Sequence, residues 1–449
     1  MTTKTSLIRG LTLTDGIAIV IGTIIGTGVF LKTATMAQLV GSPGYVLLAW
    51  VVGGLLSLTG ALAYAELGSI MPDAGGEYIY LKEGYGDLWA FLYGWMRFWI
   101  GSPGSIAAYA VGGMTFMSGM MDLTFLGGRT SAAVLMIVLF SLLNCFSVAF
   151  GGKIQSFMTF LKILIIAGIA LGIFFFGHEV DFSHLTQHSP GQSGFAGWSA
   201  FGSAVLAALW AYDGWCNLSM VGGEIQNPKR NVPLSFMIGM FAILVLYAMA
   251  NVAYFYALPF SEVINSNSSL FPDALPIATK ASLSFLGTSG VAILSLAFVF
   301  SSLGAMNGSI LTSARVPYAM ARDGLFFKQL GNVSETTHVP VVSIIVQAIV
   351  SIALALSGTF DQLTDYVVFS AWIFYAMVTS VVFVMRKKRP DIVREYKALG
   401  YPVLPAVFIV LGVLLLINTV ITSPQSSLIG LGFILAGVPV YYFFKKLKS

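Results

Sequence analysis

Runs of about 20 apolar residues, each closed by a charged or Pro/Gly cluster, recur along the chain. Twelve such spans are predicted, at about 13–39, 44–70, 88–120, 130–150, 154–177, 197–223, 234–258, 283–319, 339–357, 362–385, 403–421 and 426–444. A run of this length in a helix crosses the hydrocarbon core of a bilayer, so the expected architecture is an all-α membrane protein of twelve transmembrane helices. Two of the spans are unlike the rest. The first carries Gly22-Thr-Ile-Ile-Gly26-Thr27-Gly28-Val-Phe30 at its midpoint, and the sixth carries Leu209-Trp-Ala-Tyr-Asp-Gly-Trp215. Inside a membrane, irregular backbone survives only where it lines a cavity or is buried in protein, so a glycine-dense midpoint marks a place where the helix unwinds for a reason. Close packing through the Gly22/Gly26 spacing is the competing reading of the first motif.

Composition and charge sharpen this picture. Hydrophobic residues make up 57% of the chain and charged residues only 9%, with a mean hydropathy of +0.86, which excludes a soluble enzyme of this size. The formal charge of +4 does not point to nucleic acid, because the basic residues sit in short loops between spans and form no continuous face. Seventeen of the 23 Lys and Arg residues, from Lys4 to the Arg386–Arg389 run and Lys448, fall on one side of the predicted topology. Lys32, Arg129 and Lys280 fall on the other, and Arg97, Lys162 and Arg315 lie within or at the ends of spans. The positive-inside rule therefore places both termini in the cytoplasm of a cell-membrane protein. Met1–Gly10 has no cleavage site of the signal-peptide kind.

The candidate chemistry is that of binding, not of catalysis. An unwound segment at Gly26–Gly28 exposes backbone N–H groups suited to a carboxylate, and carbonyls freed near Trp210–Asp213 suit an ammonium. Spans 1 and 6 are five apart, an odd offset that reverses direction across the membrane, as in two inverted five-helix halves around one mid-depth site. The expected division is 1–177, 178–389, and 390–449 for the last two helices. This polarity suits an α-amino acid zwitterion. No phosphate loop, metal-ligand spacing or paired intramembrane acids is present, and His178, His184, His188 and His338 fall in loops or flanks. No metal and no cofactor is expected, and the chain reads as no enzyme. Cys145 and Cys216 lie in apolar surroundings as small buried hydrophobes.

The two span motifs, together with Glu224-Ile-Gln-Asn-Pro-Lys-Arg-Asn-Val-Pro233 and Asn307-Gly-Ser-Ile-Leu-Thr-Ser-Ala-Arg315, resemble the L-type amino acid transporter (LAT) family of the amino acid, polyamine and organocation superfamily. The resemblance covers essentially the whole chain. It implies a leucine-transporter-like fold of five plus five helices with discontinuous helices 1 and 6, and a sodium-independent antiporter of small neutral L-amino acids such as alanine, serine or threonine. A proton-coupled amino acid symporter, open also to cationic amino acids, is the alternative. Carried over residue by residue, it puts Ile24, Gly26, Thr27 and Gly28 around the substrate carboxylate and Trp210, Ala211 and Asp213 around its amino group. Trp210 stands where the family has an aromatic gate, and its large indole favours small substrates.

Lys162 matches a lysine whose ammonium replaces a sodium ion, tethering helix 1 to helix 8 around Ser301 and Ser302. A proton carrier is the second reading, since desolvation disfavours a charged form, and a lysine reaching the interface is the third. Asp213 reads a basic substrate side chain or caps the broken helix. Arg97 and Arg315 are expected to be structural, with Glu66 a partner of one of them. Animal members join a heavy chain through a cysteine between helices 3 and 4. Residues 121–130 contain none, so no disulfide-linked heavy chain is expected.

Overall fold

A computed structural model describes the backbone of residues 7–118, 120–188, 194–271, 273–357, 360–422 and 424–448, and the side chains of all of these except 194, 195, 360–368 and 426. Lys4 and Met1–Ser6, used above for topology and processing, lie outside the described residues. The described chain is helical almost throughout, and its one β-bridge joins Leu11 to Ile225.

The helices are α1 (Leu13–Ile24), α2 (Gly28–Val40), α3 (Pro43–Ile70), α4 (Glu77–Tyr85), α5 (Asp87–Met96), α6 (Ser102–Ser118), α7 (Arg129–Asn144), α8 (Val148–Phe176), α9 (Gly194–Ala211) and α10 (Asn217–Met220). They continue as α11 (Pro228–Ala257), α12 (Phe260–Ile264), α13 (Ile277–Leu286), α14 (Ser289–Ser313), α15 (Arg315–Arg322), α16 (Val341–Ser357), α17 (Phe360–Lys388), α18 (Val403–Thr422) and α19 (Pro424–Lys448). Counting α1–α2 and α14–α15 as continuous, eight segments among the described residues are long and apolar enough to cross a membrane. Shorter apolar helices at Arg129–Asn144, Ala196–Ala211, Ile277–Leu286 and Val341–Ser357 overlap other predicted spans but are below that length. The protein is a multi-span membrane protein. Spans 1 and 6 both break where the sequence predicts, and the third is interrupted by a π-helical turn at Arg97–Gly101.

Packing turns on buried polar groups as much as on apolar ones, because a polar group in a lipid-facing bundle must find its partner inside the protein. Asn144 Nδ2 donates to Asn307 Oδ1 at 2.9 Å, and Asn307 Nδ2 to Gln155 Oε1 at 2.9 Å, which ties α7, α14 and α8 together. Thr33 Oγ1 donates to Asn251 Oδ1 at 2.5 Å between α2 and α11. α1 is docked at its start by Thr12 and Asp15, whose side chains form a reciprocal cap, and Ser156 of α8 donates to Asp15 at 2.8 Å. The strand-like segment before it is held by Leu11 N–H on the Glu224 carbonyl (2.9 Å) and Gln226 N–H on the Leu11 carbonyl (2.8 Å).

Glu66 pairs with neither Arg97 nor Arg315. It accepts two hydrogen bonds from Arg386 (2.6 and 3.0 Å) and one from the Ala398 N–H (2.7 Å), with Arg394 Nε at 3.2 Å. This places the Arg386–Arg389 run beside a buried acid at the end of α3, a long-range contact that no local spacing reveals. Arg315 pairs with Glu224, with Nε to Oε1 at 2.6 Å and Nη2 to Oε2 at 2.9 Å, and both side chains are fully buried. Breaking such a pair leaves an uncompensated buried charge, which costs about 3–5 kcal/mol. Glu224→Gln and Arg315→Met are each expected to lower the unfolding midpoint of the purified protein clearly, and the double variant to lose less than the sum of the two.

Candidate functional site

α1 ends at Ile24, and Ile25, Gly26 and Thr27 pass through non-helical backbone before α2 begins at Gly28. α9 ends at Ala211, and Tyr212–Cys216 form a series of turns before α10. A broken helix leaves carbonyls on one stump and N–H groups on the other without intrahelical partners. Here the two kinds of group meet different fates.

The carbonyls are bound by side chains from neighbouring helices. Lys162 Nζ, on α8, donates to the carbonyls of Gly22 (2.7 Å) and Ile25 (2.5 Å). Ser301 Oγ, on α14, donates to Gly26 (2.9 Å) and lies 3.3 Å from the Ile25 carbonyl. Tyr247 Oη, on α11, bridges both breaks, at 3.3 Å from the Ile24 carbonyl and 3.2 Å from that of Ala211. Thr23 Oγ1 donates to the Gly214 carbonyl at 2.9 Å, a direct link between the broken segments. The N–H groups are left open. No protein acceptor is recorded among the described residues for the amides of Gly26, Thr27 and Gly28, and the Thr27 hydroxyl, 1% exposed, has no partner either.

The two breaks touch. A Cβ at Gly28 would stand 2.6 Å from Ala211 Cβ and 2.8 Å from its Cα, so only glycine fits. Gly214 has φ +104°, a region that L side chains avoid, and a Cβ there would meet the Thr23 carbonyl at 2.7 Å. Tyr109 of α6 lies against Gly26. Lys32 Nζ stands 4.8 Å from the Trp210 ring centroid, and Phe298 packs between Phe30 (4.6 Å) and Phe116 (4.5 Å). Asp213 Oδ1 accepts from Tyr375 Oη at 2.8 Å.

Of the residues singled out in the sequence, Ile24, Gly26, Thr27, Gly28, Trp210, Ala211 and Asp213 all lie on the paired breaks, and Lys162 and Ser301 converge on the Ile25 carbonyl. Ser302 does not join them. One position along a helix turns the side chain by about 100°, and Ser302 instead faces α6 at Gly113, its buried hydroxyl without a partner. Among the described residues Arg97 contacts no carboxylate; its Nη2 donates to the side-chain carbonyl Oδ1 of Asn217 at 2.9 Å.

A chain with two facing helix breaks, backbone amides open at one and a lysine holding it in place, can be compared with known proteins on more than hydropathy. The family model described as amino acid permease matches residues 11–444. The chain belongs to the amino acid permease family. It is similar to the serine/threonine exchanger SteT of Bacillus subtilis (strain 168), 33% identical over 96% of each chain. It is also similar to the b(0,+)-type amino acid transporter 1 of Rattus norvegicus, 31% identical over 99% of this chain and 89% of that one. The human cystine/glutamate transporter is 31% identical over 98% and 86%. This permease is accordingly a membrane transporter and not an enzyme.

Four residues of the permease's site escape sequence reading: Tyr109, Tyr247, Tyr375 and Thr23. Tyrosine and threonine are ordinary in membrane helices, and nothing in spacing separates a tyrosine on a freed carbonyl from one at the interface. Thr23 at least lies inside the glycine-rich motif. The Gly28–Ala211 contact generates a test. Gly28→Ala is expected to reduce substrate binding at least a hundredfold, whereas Gly168→Ala, where a Cβ meets nothing within 4 Å, should leave it unchanged; calorimetric titration of both purified variants with serine checks this.

Proposed function

We propose that this permease is a sodium-independent exchanger of small neutral L-amino acids, such as alanine, serine or threonine, working by alternating access. The observation that carries the reading is the division of labour at the breaks. Their carbonyls are held by Lys162, Ser301 and Tyr247, while three successive amides at Gly26–Gly28 keep their donors for a ligand. Amides at the start of α2 favour an anion through their own polarity and the helix dipole, which suits a carboxylate. The Ala211 carbonyl has a second lone pair beyond the one Tyr247 uses, and with Asp213 it suits the ammonium. Gly28 against Ala211 and Trp210 leaves little width there, which supports small side chains, and the serine/threonine exchanger among the relatives agrees with that size.

The proposed fold is the five-plus-five inverted repeat with twelve spans, divided at 1–177, 178–389 and 390–449, with both termini cytoplasmic in the cell membrane and no disulfide-linked heavy chain. Breaks at equivalent depth, five spans apart, support it. Lys162 occupies the place of a fixed monovalent cation: its ammonium sits on two freed carbonyls, the ligands a sodium ion would take, so no ion need bind. A rival function as a proton symporter draws on the same residue, because a buried ammonium held only by neutral carbonyls can also be discharged.

Purified protein in sodium-free liposomes separates the two. Radiolabelled serine is expected to enter only vesicles preloaded with unlabelled serine; uptake into empty vesicles that strengthens with an inward proton gradient would make the protein a symporter. Lys162→Ala is expected to fold, with a normal gel-filtration profile, and to lose at least tenfold in serine exchange. Full activity in that variant would remove both roles given to Lys162.

A further inference from the structure

Among the described residues, the buried cations have partners that account for them, with one departure. Arg315 has Glu224, and Lys162 has two carbonyls. Arg97 is 4% exposed and forms no ion pair among the described residues. Its Nη2 donates to Asn217 Oδ1 at 2.9 Å and lies 3.6 Å from Met220 Sδ, both on α10, while its buried Nε has no partner. Two carboxylates lie within electrostatic reach, yet both are engaged by phenols. Glu77, fully buried, accepts from Tyr64 Oη at 2.8 Å and from Tyr93 Oη, and Asp213 accepts from Tyr375.

The backbone at Arg97 is also unusual. The π-helical turn Arg97–Gly101 starts at this residue, and such turns concentrate at functional positions. Gly101 packs closely against Arg97: a Cβ there would stand 3.0 Å from Met96 Sδ and 3.1 Å from Arg97 Cδ. A buried guanidinium with an unpartnered N–H and no carboxylate in contact is under-satisfied, and its fork matches a carboxylate in geometry and charge. Asn217, which holds Arg97, follows Asp213 by four residues, on the side of the second break that the proposed topology makes cytoplasmic.

We propose that Arg97 is a second carboxylate-binding group on the cytoplasmic release path: an amino acid leaving the Gly26–Gly28 amides passes its α-carboxylate to the guanidinium, which gives up Asn217 for it. Asp213, on the opposite side of the cluster, then faces the ammonium. Neither Glu77 nor Asp213 is hydrogen-bonded to Arg97; both accept from phenols instead, so the guanidinium keeps donors for a ligand. This inference rests on the central-site reading above, and deepens it by adding a station below that site.

The test uses the full-length protein in liposomes sorted for one orientation, measuring half-saturating serine separately at each face for wild type, Arg97→Lys and Arg97→Gln. The lysine variant keeps the charge and loses the fork, and so guards against a glutamine variant that fails to fold; gel filtration and the unfolding midpoint report folding. Both variants are expected to raise the half-saturating concentration at the cytoplasmic face at least tenfold and to leave the external value within twofold. Equal rises at both faces would place Arg97 in the central site, a rise matched by a fall would mark a conformational bias, and no change would leave it structural; each overturns the proposal. Absence of serine exchange by the wild type would instead overturn the central-site reading on which it rests.

Discussion

Every backbone donor and acceptor inside a membrane needs a partner, and two interrupted helices supply more of both than the helices themselves can satisfy. The rest of this structure is arranged around that deficit. Lys162, Ser301, Tyr247 and Thr23 come from four different helices and attend to the carbonyls of Gly22, Ile24, Ile25, Gly26, Ala211 and Gly214. Satisfying the acceptors and leaving the donors is what underlies the proposal that the break binds an anion. On the proposed reading, amides fixed by the chain path recognise what all α-amino acids share, and the walls are left to decide among side chains.

The same economy of charge runs through the bundle. Glu66 collects Arg386 and Arg394, and Glu224 collects Arg315, each joining segments far apart in sequence. Glu224 also lends its carbonyl to the segment that leads into α1, so one residue couples α15, the loop after α10 and the first broken helix. Neutral side chains do the corresponding work deeper in, where Asn144, Asn307 and Gln155 link α7, α14 and α8 at no cost in buried charge.

Both breaks were legible in the sequence, because glycine at mid-span and an acid between bulky aromatics conflict openly with what a lipid-crossing helix requires. Lys162 was legible for the same reason, a cation with apolar neighbours on every side. Partners were not. Glu66 finds Arg386 across 320 residues, and its pairing depends on how α3 meets α17, which no local pattern encodes. Ser301 and Ser302 are indistinguishable as letters, and only helical phase sends one to α1 and the other to α6. Tyr109, Tyr247 and Tyr375 act through where their hydroxyls end, a property of packing and not of composition.

The central claim is that the open amides of Gly26–Gly28 hold the substrate carboxylate. Hydrogen–deuterium exchange of the purified protein, with and without saturating serine, tests it most directly on the peptide covering residues 22–30. Serine should slow exchange at these amides and leave the peptide covering 160–175 unchanged, since the amides of that stretch are already committed within α8. Exchange across 22–30 that is indifferent to serine, with protection appearing elsewhere, would contradict the account and move the substrate site away from the breaks.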